Sequence, residues 1–96
     1  MGLTMELPIT VGEAVAGAEV EVPTPSGAIK VKVPARAQSG QLLRVRGKGV
    51  SAHGQTPAGD LFLRLMIRIP KDNLGREMIE KIDKAYNEDV RKDVRL

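Results

Sequence analysis

Apolar residues recur at every second position through most of this chain and at every fourth position only once, near the end. This constrains the fold more than any other feature. A period of two puts one parity of side chains on one face of a strand, whereas a period near 3.6 marks a helix. Leu3, Met5, Leu7 and Ile9 alternate with Thr4, Glu6, Pro8 and Thr10. Pro8 has no N–H to give to a ladder, so this strand is expected at a sheet edge, or to end there. Glu19-Val20-Glu21-Val22 and Ile29-Lys30-Val31-Lys32-Val33 repeat the alternation on either side of Pro23-Thr24-Pro25-Ser26-Gly27, and predict a hairpin. Its acidic first arm and basic second arm allow cross-strand pairs contributing about 0.2–1 kcal/mol each. After the Ser39-Gly40 turn, Gln41 to Arg46 reads as a fourth strand. Leu61 to Ile69 reads as the longest, with aliphatic odd positions and even positions alternating Phe62 and Met66 with Arg64 and Arg68.

Two segments break this pattern. Thr10 with Glu13 three residues later has capping-box spacing, and Gly17 is a stop, so a short helix is expected between them. After Pro70, Leu74, Met78, Ile82 and Tyr86 recur every fourth residue, with Ile79 and Ala85 widening the stripe and Glu77–Lys81 and Glu80–Lys84 at i,i+4 spacing. This predicts an amphipathic helix of about four turns. Gly75 weakens its first turn and is an alternative N-cap. Gly47 to Gly59, with four glycines and a proline, reads as a loop, and Glu88 to Leu96 as a polar end. The expected fold is all-β: a small β-sandwich with one short internal helix and a C-terminal amphipathic helix. It divides into a β-domain over residues 1–70, a helix over 71–90 and a polar tail over 91–96.

Composition narrows the function. With no Trp, one Tyr and one Phe, the core must be aliphatic, and single-stranded nucleic-acid binding by base stacking is disfavoured. The net charge of +3 lies wholly before Lys71. The absence of cysteine removes disulfides, thiol nucleophiles and thiolate metal sites, and is compatible with a reducing compartment; the cytoplasm is the expected location. No apolar run approaches the ~20 residues of a membrane span, and MGLTMELPIT lacks a signal-peptide plan, so no membrane association is expected. The Met1-Gly2 start is compatible with a piece of a longer protein.

Candidate chemistry is sparse. His53 has no Cys, Asp or Glu within three residues and reads as solvated. Ser26, Ser39 and Ser51 sit in turns or loops, where serine serves the backbone. Glu19 and Glu21 form a solvated strand face beside Lys30 and Lys32. Gly47-Lys48-Gly49 lacks the spacing of a phosphate loop. Arg44, Arg46 and Lys48 beside Arg64 and Arg68 make a basic ridge whose alternatives are a soluble strand face and a phosphate-contacting surface. No enzyme activity, metal or other cofactor is expected, because no nucleophile, base and oxyanion donor converge.

ELPITVGEAVAGAEVEVPTPSG, KVPARAQSGQLLRVRGKGV and GDLFLRLMIRIP, in that order and spacing between Leu3 and Pro70, resemble consecutive signatures of the second C-terminal β-domain of DnaJ-type J-domain co-chaperones. The resemblance implies a β-sandwich followed by a helix that pairs two protomers. It also implies a shallow groove for extended peptide, which carried across would involve Met5 and Leu7 on the opening strand, Val22 on the next and Leu63 on the long strand. Val22 and Leu63 stand where large aromatics are expected, and aliphatic groups bury less area. Alternation alone reads all four as core. The implied partners are unfolded polypeptide clients, a second copy of the chain, and the heat-shock ATPase chaperone through the full-length protein. Leu74, Met78, Ile79, Ile82 and Tyr86 are the candidate dimer contacts; from the residues alone, packing back onto the β-domain is slightly favoured by the short Pro70–Asn73 link. Rival readings are a purely structural spacer and dimerisation module, and a nucleic-acid or nucleoid-binding module using the basic ridge.

Overall fold

The structure, a computed structural model, describes residues 2–24, 27–47 and 59–94. In chain order the elements are β1 (Leu3–Thr10), α1 (Val11–Ala16), β2 (Ala18–Thr24), β3 (Gly27–Val33), β4 (Leu42–Val45), β5 (Leu61–Arg68) and α2 (Arg76–Lys84). Strands β1, β5 and β4 form one sheet in that order, with β1 parallel and β4 antiparallel to β5. Strands β2 and β3 form a separate antiparallel hairpin whose register sets Glu19 opposite Lys32 and Glu21 opposite Lys30. The ion pair that forms is the diagonal one, Lys30 Nζ to Glu19 at 3.9 Å, between two exposed side chains.

The alternation decides how the two sheets meet. Odd-numbered residues of β1, β4 and β5 turn toward the apolar face of the hairpin, giving the all-β fold a core in two joined clusters, to which α1 and the segment after β3 add one alanine each. Val22, Val31, Leu61 and Leu63 are the buried members of the first, and Ile9, Ala14, Val33, Ala37 and Leu65 those of the second. Leu7, Val20 and Leu43 pack against both, so the clusters share a seam. Burying each such aliphatic side chain contributes about 1.5–3 kcal/mol.

Helix α1 carries the full capping box. The Glu13 N–H donates to Thr10 Oγ1 at 3.1 Å and the Thr10 N–H to Glu13 Oε1 at 2.9 Å. Ala14 and Val15 carbonyls then accept from the Ala37 and Arg36 N–H groups at 2.9 and 3.1 Å, docking the segment after β3 against the helix. Gly17 ends the helix at φ 79°, and a Cβ there would lie 3.0 Å from both the Ala35 nitrogen and the Val33 oxygen. Backbone atoms cannot move aside as a flexible side chain can.

Three expectations are corrected. The fourth strand is shorter than Gln41 to Arg46, because Gln41 leaves the ladder geometry while its carbonyl still accepts the Leu65 N–H at 2.8 Å. The long strand ends at Arg68, where its register partner Thr10 becomes the helix cap, so among the described residues Ile69 has no strand beside it, and it is 80% exposed. The terminal helix spans nine residues, well short of 71–90 and of four turns. Gly75, at φ 82°, is its N-cap, which leaves Leu74 outside, and bonds from the Ala85 and Tyr86 N–H groups to the Ile82 and Asp83 carbonyls tighten and close its last turn.

Asp60 ties three chain segments together. Its carbonyl accepts the Leu3 N–H at 2.9 Å, Oδ1 accepts the Gly47 N–H at 3.0 Å, and Oδ2 accepts Arg44 Nε–H at 2.6 Å within an ion pair. The start of β1, the turn after β4 and the entry to β5 therefore converge on one residue. The Gly47 N–H, followed by the Arg44 guanidinium, holds the Asp60 carboxyl below its ordinary range. A lowered folded-state value means that the carboxylate stabilises the fold above the unfolded value of 3.8 and loses that contribution as the pH falls below it.

Two outcomes are expected. Gly17→Ala should lower stability by about 1–3 kcal/mol, read from urea unfolding midpoints, since it combines a strained φ with backbone overlap. Asp60→Asn should be less stable than the parent at neutral pH, with the gap between the two urea midpoints narrowing as the pH is taken below 3.8.

Candidate functional site: an open strand edge and an exposed helix stripe

Among the described residues, strand β1 has a neighbouring strand on one side only. The Leu3 N–H donates to the Asp60 carbonyl, which fixes the odd-numbered backbone groups of β1 toward β5. N–H and C=O of one residue leave a strand on the same side and alternate along it, so Thr4, Glu6, Pro8 and Thr10 direct theirs to the open edge. Thr10 spends its N–H on Glu13, and Pro8 has none. Of the described residues in β1, Thr4 and Glu6 are therefore the ones whose N–H groups remain available to another extended chain.

The structure brings the four candidate groove residues to one region but gives them unequal access. Met5 stands beside Leu63 in the register, and both belong to the cluster that contains Val22; Leu7 stands beside Leu65. Val22 and Leu63 are 2% and 0% exposed, which makes them core side chains. Met5 and Leu7 are half-buried, at the margin of that core and next to the open edge. Accessible apolar surface here thus belongs to β1, backed by Val22 and Leu63.

The terminal helix presents a second apolar surface. Met78, Ile79, Ile82 and Tyr86 keep between 39% and 60% of their surface exposed, and α2 buries no residue. Leu74, before the helix, is half-buried. The stripe does not fold back onto the β-domain, contrary to what the short link favours: residues 69–73 carry the chain away from the sheets, and the molecule measures 57 × 33 × 20 Å. Its radius of gyration of 17.1 Å exceeds the ~13 Å of a compact chain of this length.

The remaining candidates are placed as follows. Ser39 Oγ accepts the Ile67 N–H at 3.1 Å, a backbone role. Arg44 is committed to Asp60, while Arg46, Arg64 and Arg68 are exposed. Ser26, Lys48, Gly49, Ser51 and His53 lie outside the described residues. Among the described residues no three His, Cys, Asp or Glu side chains come together as a metal site, and no helix is long and apolar enough to cross a membrane. The role of Asp60 escaped the sequence reading. Its only local signal was an acidic residue between a glycine-rich loop and a strand, and its partners Arg44 and Gly47 lie far off along the chain.

A family model described as the DnaJ C terminal domain matches residues 2–70. The chain belongs to the DnaJ C-terminal domain family. It is 49% identical over 75 residues to the chaperone protein DnaJ of Psychrobacter arcticus, an alignment covering 78% of this chain and 20% of that relative. The chain thus spans about a fifth of the length of the curated relative it matches. Within this DnaJ C-terminal domain the family match takes in every strand and stops at Pro70, so α2 is interpreted on its own geometry.

The edge assignment is open to amide exchange. Thr4 and Glu6 amides should exchange with solvent much faster than those of Met5 and Leu7, measured residue by residue by NMR. Equal protection along the strand would show that the outer edge of β1 is covered.

Proposed function

We propose that this domain binds non-native polypeptide and joins two protomers of a DnaJ-type co-chaperone, which through its full length delivers clients to the heat-shock ATPase chaperone in the cytoplasm. The observation that carries the client reading is the pair of half-buried side chains, Met5 and Leu7, beside unpaired backbone groups of β1. An extended client gains backbone hydrogen bonds at such an edge and buries alternate apolar side chains against its margin, which reads little sequence. No catalysis is invoked. Val22 and Leu63 act from beneath, shaping the floor on which the client lies.

Dimerisation is carried by the α2 stripe. Met78, Ile79 and Ile82 share a face at i, i+1 and i+4, and Tyr86 extends it, so a two-fold axis lets one patch serve both copies. Burying the exposed half of four such side chains per protomer contributes about 0.7–1.5 kcal/mol each, to be set against an association cost of about 4–15 kcal/mol. A second reading, in which the β-domain is a spacer that binds nothing, is favoured by the full burial of Val22 and Leu63.

Two measurements decide between these readings. Leu7→Glu should reduce binding of a reduced, unfolded polypeptide, followed by fluorescence anisotropy, while the circular dichroism of the domain is retained. Loss of the folded state would make Leu7 a core residue, and unchanged binding would favour the spacer. Ile79→Glu combined with Ile82→Glu should convert a dimer into a folded monomer by light scattering. A parent that is already monomeric at all concentrations removes the dimer reading.

A further inference from the structure

Beyond α2 the chain turns again. Asp89 Oδ1 accepts the Arg91 N–H at 3.0 Å, the Asp89 carbonyl accepts the Lys92 N–H at 3.2 Å, and Lys92 Nζ stands 3.7 Å from Glu88. This turn leaves a cleft between itself and the end of the helix, lined by Asp83, Tyr86, Glu88, Asp89, Val90 and Arg91. Its two large apolar residues, Tyr86 and Val90, are 60% and 56% exposed. Tyr86 follows Ile82 at i,i+4, so the cleft continues the exposed stripe of α2 past the helix itself.

The α2 stripe alone is a small interface. Its nine residues rise over about 14 Å, whereas a stable association engages about 20–30 residues and about 800 Å² on each partner. A second copy that used the stripe and the cleft together would cover more of that requirement than the helix can. Charge sets the direction of such a pairing. Within the cleft Glu88 is paired with Lys92, which leaves Asp83 and Asp89 against Arg91 alone. At the other end of α2, Lys71 and Arg76 make no ion pair among the described residues. Parallel helices would set one acidic cleft beside another and align the two helix dipoles. Antiparallel helices set each cleft beside the basic start of the partner's helix and oppose the dipoles.

We propose that two copies of this chain pair with their α2 helices antiparallel, Met78 at the start of each helix entering the cleft between Tyr86 and Val90 at the end of the other. This rests on the dimer reading and gives it a geometry and a further contact residue, Val90. The two-fold axis then passes close to Ile82, midway between Met78 and the cleft, and the two Ile82 side chains meet across it. Each copy supplies one Met78 and one cleft, so the contact is made twice and closes the pair.

The chain contains no cysteine, so introduced cysteines report the pairing alone. Met78→Cys and Val90→Cys are made separately in the full chain, mixed in equal amounts and mildly oxidised. The mixed cross-link, separated by mass from the two homodimers, should exceed both, and Ile82→Cys should cross-link to itself. Homodimers of Met78→Cys in excess over the mixed species would show parallel helices and overturn the proposal. Val90→Glu provides a reading independent of the cysteine pairs: it should weaken the dimer about tenfold, followed by light scattering over a range of concentrations, with the circular dichroism of the β-domain retained. A dimer unchanged by Val90→Glu would overturn the part given to the cleft and leave the dimer reading standing. A parent chain that is monomeric at all concentrations would remove the dimer reading and this inference together.

Discussion

Strand β5 is the constraint on which the other elements depend. Its even-numbered backbone groups serve β1 and its odd-numbered groups serve the β4 side, where Gln41, Gly40 and Ser39 extend the pairing beyond the strand itself. Leu61, Leu63 and Leu65 are all fully buried. A strand used on both edges and one whole face has no freedom left, so every element that touches it is placed by it. Asp60, immediately before β5, adds the corner: it fixes where β1 starts and where the chain leaves β4.

Much of this was legible in the residue order. The hairpin register, the capping box at Thr10 and Glu13, the stop at Gly17 and the edge position of the Pro8 strand all arise from interactions local in sequence, and local interactions leave local signals. What was not legible was non-local. Nothing in GQLLRVRGKG or in GDLF alone says that Arg44 and Gly47 meet Asp60, and nothing in the stripe of α2 says whether it returns to its own domain. The helix was overestimated for a related reason. Hydrophobic spacing continues through Leu74 and Tyr86, yet backbone geometry at Gly75 and the tightening after Ile82 end the helix before either.

The candidate site shows why alternation could not separate core from surface. Met5, Leu7, Val22 and Leu63 have the same parity signature, and what distinguishes them is the strand's place in its sheet. Leu63 is in a central strand and vanishes into the interior, whereas Met5 and Leu7 are on an outer one and remain partly reachable. Pro8 and the Thr10 cap restrict that outer strand to a short accessible window. This limits the sheet-to-sheet association that an open edge invites.

The parallel pairing of β1 with β5 has a consequence for how the chain comes to be folded. Residues 11–60 lie between its two strands, so when β1 leaves a ribosome the strand it pairs with has yet to be made. The hairpin and α1 can form from neighbours in the meantime, but their apolar faces wait uncovered. A domain whose family is associated with chaperones thus passes through a stage, during its own synthesis, in which it exposes aliphatic strands of the kind it is proposed to hold.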